Sequence, residues 1–126
     1  MEKSFEERVA EAQAEVISIT PKEANECKTC NPGTIFIDPR STKDISTTTG
    51  IIPGALNMSL DELSNKSDED LAQVFNLKTR PIIASCQGGP MGALAAHALK
   101  QRGFDNVFFI EGGTQGWLDA GYTTAK

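Results

Sequence analysis

The chain has 126 residues, 39% of them hydrophobic, with 17 acidic against 12 basic side chains and a net charge of −5. That length suits one globular domain with a core of its own and leaves little for a second. It holds no run near the roughly 18 apolar residues of a membrane span, and no basic stripe interleaved with aromatics, so neither membrane nor nucleic acid is an expected partner.

The charge is unevenly placed: residues 1–70 carry 14 acidic and 7 basic side chains, residues 71–126 carry 3 and 5. The segment MEKSFEERVAEAQAEV is charged throughout and has no signal-peptide hydrophobic region, so a cytoplasmic location is expected. Three cysteines are an odd number, which argues against a secreted disulfide framework and leaves at least one thiol over.

In chain order, residues 5–15 read as a helix, with Phe5, Val9 and the alanines as its apolar stripe. Glu15–Ile19 is a short β-rich run, and Thr20-Pro21 starts a short helix well. Asn31-Pro32-Gly33 signals a turn. Thr34–Asp38 is almost continuously apolar and suits a strand buried on both faces. A polar stretch of loop character follows through Thr49. Pro53-Gly54 punctuates before a third strand at Ala55–Met58. Ser59–Phe75 reads as helical in two pieces, with Ser67 capping the second. Pro81–Ser85 is a fourth strand. Residues 90–102 form the clearest helix, closed by basic residues and Gly103. Val107–Ile110 is a fifth strand and Thr114–Ala120 a last helix. Strands alternating with helices predict an α/β domain with a mostly parallel sheet.

In such sheets functional groups gather beyond the carboxyl ends of the strands. Cys86 stands at one of these ends, where the fourth strand turns into the clearest helix. Gly88 and Gly89 let the loop curl with its N–H groups pointing inward. The helix that starts near Pro90 adds its positive dipole end. Both effects favour a thiolate over a thiol. The bland alternative is a small buried hydrophobe at the end of a strand.

From about Ile17 to Tyr122 the sequence resembles the single-domain rhodaneses, the persulfide-forming sulfurtransferases. Ile37-Asp38-Pro39-Arg40 resembles the family's Asp-x-Arg after its second strand. Gly50-Ile51-Ile52-Pro53-Gly54-Ala55 is similar to its Gly-His-Ile-Pro-Gly-Ala, with Ile51 in place of the histidine. Cys86 to Met91 corresponds to its six-residue active-site loop. Gly103-Phe104-Asp105-Asn106-Val107, and Glu111-Gly112-Gly113 with Trp117, resemble its closing strand, turn and helix.

The resemblance implies a rhodanese-like α/β fold: a five-stranded, mostly parallel sheet with helices on both faces, spanning residues 16–126 behind an N-terminal helical extension at 1–15. It implies Cys86 as the catalytic nucleophile. Gln87, Gly88, Gly89, Pro90, Met91 and Gly92 would bind substrate, with Asp38 and Arg40 as structural support. The implied partners are a small sulfane-sulfur donor or protein persulfide and a thiol or cyanide acceptor, with no metal or organic cofactor. The implied reaction is covalent nucleophilic catalysis in which loop N–H groups hold the anionic sulfur.

Two departures narrow this expectation. Many rhodaneses carry basic residues in the loop, as in Cys-Arg-x-Gly-x-Arg, where this chain has Gln87 and Met91. A small dianion gains much of its binding from such charge-assisted bonds, so weak thiosulfate activity is expected. Pro90 also withholds one N–H from the anion cradle, although the Gln87 amide can still donate. A phosphatase-type Cys-x5-Arg loop would need arginine at position 92, which is Gly92 here, and without that bidentate clamp phosphatase activity is not expected. The competing functional reading is a catalytically weak or silent rhodanese-like binding module or sulfur carrier.

Cys27-Lys28-Thr29-Cys30 is a C-x-x-C. Zinc would need two further ligands, and only Cys86 and His97 remain, so a mononuclear site is not expected. The pair reads as two thiols in a surface loop, or more sharply as a reversible disulfide or a thiol acceptor for sulfur from Cys86. His97 lies two turns down its helix, packed partly against the sheet or facing solvent, with no catalytic task expected of it. Trp117 reads as core.

Overall fold

The computed structural model describes residues 4–30, 33–65, 69, 70, 81–86, 90–104 and 106–124. In chain order its elements are α1 (Phe5–Glu15), β1 (Ile17–Ile19), α2 (Pro21–Cys30), β2 (Ile35–Asp38), α3 (Thr42–Thr47) and β3 (Leu56–Asn57). There follow α4 (Leu60–Asn65), β4 (Ile82–Ala84), α5 (Pro90–Gln101), β5 (Val107–Ile110) and α6 (Gly113–Asp119).

The five strands form one sheet in the order β1-β5-β4-β2-β3, and every neighbouring pair is parallel. Parallel neighbours need crossover connections, so the carboxyl ends of all five strands share one edge of the sheet. The central strands are covered on both faces, which is why they read as apolar runs and not as alternating patterns. Successive side chains still part to opposite sides. Ile37, Ile82, Ala84, Val107 and Phe109 join one core cluster, and Phe36, Ile83 and Ile110 the other.

The first cluster lies under α5, α1 and α4. In α5, Ala93, Ala95 and Ala96 are buried, and small side chains let the helix axis approach the sheet closely. α1 packs across α5 through Ala12, and Lys100 Nζ donates to the carbonyl of Glu15 at 2.5 Å, placing a cation at the negative end of α1. The second cluster lies under α2 and α6. Trp117 is buried there, edge-on to Phe36 at 6.0 Å and beside Tyr122 at 4.7 Å, with its indole N–H donating to the Thr123 carbonyl at 2.9 Å.

Two local readings of the sequence are corrected. The stretch read as loop through Thr49 contains α3. Ser41 caps it by accepting the Asp44 N–H at 3.2 Å, and Ile45 is its one buried anchor. A single apolar position gives no visible period, and the threonines that follow end the helix early. Thr47 and Thr48 return their hydroxyls to carbonyls of Lys43 and Asp44.

Cys27 and Cys30 also prove to lie in the last turn of α2 and not in a surface loop. Thr20 and Glu23 explain the helix's length. Thr20 Oγ1 accepts the Glu23 N–H at 3.1 Å and Glu23 Oε1 accepts the Thr20 N–H at 3.0 Å, a capping box with Pro21 at the first helical position. The turn signal at Asn31-Pro32 and the cap at Ser67 lie outside the described residues. Among the described residues no helix is long and apolar enough to cross a membrane.

Candidate active site

The parallel sheet brings three turns together at its carboxyl edge: the one after β2 with Arg40, the one after β4 with Cys86, and Gly112-Gly113 after β5. Ser85 extends the β4 ladder by one step, donating its N–H to the Ile37 carbonyl at 2.9 Å. Cys86 comes next, 3% exposed, and α5 opens four residues later at Pro90.

The Cys86 carbonyl accepts the Thr114 N–H at 2.5 Å. Thr114 can reach it because Gly112 and Gly113 take φ of +74° and +61°. Two successive left-handed residues are strained for anything but glycine, and they swing the start of α6 under the end of β4. Below the cysteine, Ser85 Oγ and Thr114 Oγ1 lie 2.7 Å apart, both residues buried. Sequence reasoning missed Ser85 and Thr114 as site residues. The available signal was a hydroxyl ending an otherwise apolar strand and another following a Gly-Gly turn.

Gln87, Gly88 and Gly89 lie outside the described residues. Met91 and Gly92 sit in the first turn of α5, half-buried and buried respectively. The opening N–H groups of an α-helix have no acceptor within it. A Cβ added to Gly92 would stand 3.2 Å from the Ala84 carbonyl oxygen and 3.4 Å from the Ser85 Cα. Glycine here allows α5 to close onto the end of β4. The same contact leaves no easy room at position 92 for the arginine of a phosphatase loop.

Asp38 and Arg40 form a buried ion pair, with Nη2 2.6 Å from Asp38 Oδ2 and Nε 3.0 Å from Oδ1. Arg40 also donates to Thr48 Oγ1 at 3.1 Å and to the Gly50 carbonyl at 3.0 Å. Its donors and its charge are therefore engaged by the turn after β2 and by the segment after α3. Asn57, read from the sequence only as part of a strand, closes the same corner by donating its amide to the carbonyls of Asp38 at 3.0 Å and Arg40 at 2.6 Å.

The other thiols stand elsewhere. Thr34, just before β2, donates its hydroxyl to the Cys27 carbonyl at 3.2 Å, which puts the end of α2 toward the amino end of the sheet. Ile35 pairs with Ile82, and Cys86 lies four residues beyond Ile82, about 13 Å further along at the rise of a strand. Cys27 is half-buried and Cys30 exposed. Their direct use as acceptors for sulfur on Cys86 of the same molecule does not fit this separation. His97 is half-buried on α5. Among the described residues, no group of three or more His, Cys, Asp and Glu could hold a metal ion.

The rhodanese-like domain family model matches residues 20–120. A thiosulfate sulfurtransferase of Actinobacillus succinogenes is 34% identical over 59 residues, 47% of this chain and 52% of that protein. The chain is 30% identical over 79 residues to a tRNA uridine(34) hydroxylase of Burkholderia ambifaria, of whose length it covers only 27%. Among solved structures, a Rhodopseudomonas palustris protein of unknown function, described as a possible tyrosine phosphatase, superposes with a TM-score of 0.84 at 25% identity, covering 99% of this chain and 96% of that one. The polysulfide-sulfur transferase homodimer of Wolinella succinogenes gives 0.73 at 25% identity, covering 96% and 86%. The parallel five-stranded order, the cysteine at the end of β4 and the match over residues 20–120 lead to one assignment: this chain belongs to the rhodanese-like domain family.

Proposed function

We propose that the chain is a sulfurtransferase that carries sulfane sulfur on Cys86. The observation that supports this most is the placement of Cys86, buried at the carboxyl end of β4 and tied through its carbonyl to α6, directly before the loop that leads into α5. The Cys86 thiolate attacks the outer sulfur of the donor and forms an S–S bond. The donor's own S–S bond breaks and its remainder leaves as a thiolate, or as sulfite when the donor is thiosulfate. An acceptor thiolate or cyanide then takes the outer sulfur and returns Cys86 to the thiolate. The anionic persulfide is stabilised by the positive end of α5, whose opening N–H groups have no acceptor within the helix.

Gln87 and Met91 make the proposed donor site neutral where a dianion would need cations. The Arg40 guanidinium does not replace them, because Asp38 neutralises it inside the fold. A neutral low-molecular persulfide, or a persulfide on a protein, is therefore the donor of choice, and thiosulfate a poor one. The same neutral residues also suit a carrier that loads sulfur without turnover.

Intact-protein mass spectrometry after incubation with thiosulfate, a small persulfide and a persulfidated protein separates these outcomes. One added sulfur atom that is absent in Cys86→Ser, and that a thiol then removes catalytically, is the expected result. Loading without turnover selects the carrier. No adduct with any donor would leave only a binding module.

A further inference from the structure

We propose that Ser85 and Thr114 are positioning residues for Cys86: their buried hydroxyl pair, together with the Thr114 N–H, fixes the direction in which the chain leaves Cys86 for its loop. This deepens the sulfur-transfer reading and rests on it for its catalytic meaning.

The two residues are 2% and 0% exposed, and their hydroxyls lie 2.7 Å apart. Ser85 Oγ also reaches the Cys86 carbonyl through a longer 3.5 Å contact in which Ser85 is the donor. Each hydroxyl can donate or accept, so either can supply the proton of the 2.7 Å bond. The hydroxyl pair joins the end of β4 to the start of α6, and the Thr114 N–H meets the Cys86 carbonyl at 2.5 Å. Upstream, the Ser85 N–H is tied to Ile37 of β2. Cys86 is thus gripped by β2 on one side and α6 on the other.

Hydroxyls buried at the end of an apolar strand contribute little net stability, since an apolar pair of similar shape packs about as well. What they add is direction. A peptide group is planar, so holding the Cys86 carbonyl sets the plane through which the chain enters the loop. The opening N–H groups of α5 can stabilise an anionic sulfur only while aligned with it.

The test uses the full chain carrying Cys27→Ser and Cys30→Ser, so that only Cys86 reacts. The rate of Cys86 alkylation by iodoacetamide across pH, and of sulfur uptake from a small persulfide, are measured beside the melting temperature. The variants are Thr114→Val, Ser85→Ala, the double variant and Thr114→Ser. Thr114→Val keeps the backbone bond but removes the hydroxyl, and both rates should fall about ten-fold or more, as for a reacting group displaced by a fraction of an ångström. Thr114→Ser should stay close to the parent rate. In the double variant no hydroxyl is orphaned, so melting temperature should recover while the rates stay low.

Rates that merely track melting temperature across the set, or parent-like rates in Thr114→Val, overturn the proposal. If Thr114→Val does not fold, the double variant and Ser85→Ala decide by the same criterion. Should the parent take no sulfur from the persulfide while alkylation still drops in the variants, sulfur transfer fails and the positioning role stands. Should the variants take up sulfur as fast as the parent, the positioning role fails and sulfur transfer stands.

Discussion

The two places where this chain keeps thiols differ in almost every physical respect. Cys86 follows a central strand and precedes a helix, at the end where the partial charge is positive. Cys27 and Cys30 close a helix, where the partial charge is negative. Cys86 is buried, its carbonyl accepts from α6 and the Ser85 N–H before it is tied to β2, whereas Cys27 is half-buried and Cys30 exposed. The same side chain stands at the carboxyl end of a central strand in one place and in the last turn of a helix in the other. The difference comes from the topology, which sends every strand end of a parallel sheet to one edge.

The predictions probe that contrast. The largest effect is expected for Cys86→Ser, which should abolish sulfur uptake and transfer outright in a turnover assay with a persulfide donor. Next comes the frame of the carboxyl edge. Arg40→Ala leaves the Asp38 carboxylate buried without its partner and should cost about 3–5 kcal/mol in urea unfolding. Met91→Arg restores a cation to the loop, and its KM for thiosulfate should fall about ten-fold, with a smaller change for a neutral persulfide. A fall of the same size for both donors would show that charge does not decide donor choice.

Gly92→Ala presses a methyl against the Ala84 carbonyl. Overpacking costs about 1–3 kcal/mol and helix propensity returns about 1, so a net loss near 1 kcal/mol is expected. Because the displaced element is the start of α5, sulfur uptake should slow more than that stability loss alone would cause. The smallest effect is reserved for the other pole. The Cys27→Ser/Cys30→Ser variant should transfer sulfur at nearly the parent rate, and a collapse of turnover would erase the distinction between the two thiol regions.

Much of the carboxyl edge was legible in the sequence because its signals are local. An apolar run ending in Cys86, glycines after it and an alanine-rich helix beyond them identify a strand, a turn and a helix without any partner. The buried Trp117 and the five-stranded, mostly parallel sheet implied by the family resemblance also agree with the fold. What was missed depends on partners far along the chain. Ser85 finds Thr114 across 29 residues, and Asn57 finds the Asp38 carbonyl across 19, distances at which no periodicity carries a signal. α3 was hidden because one buried isoleucine makes no pattern. The C-x-x-C was read as loop because the breaker after it weighed more than the capping box ten residues earlier, and that box is what carries α2 through Cys30.

The central claim is that sulfur resides on Cys86 and not on the thiols of α2. The most direct test is peptide mapping by mass spectrometry of the three-cysteine protein, loaded with a small persulfide donor and trapped with an alkylating agent. The account predicts the alkylated persulfide on the peptide containing Cys86, with Cys27 and Cys30 recovered as simple alkylated thiols. A persulfide on the Cys27–Cys30 peptide with Cys86 unmodified would contradict it.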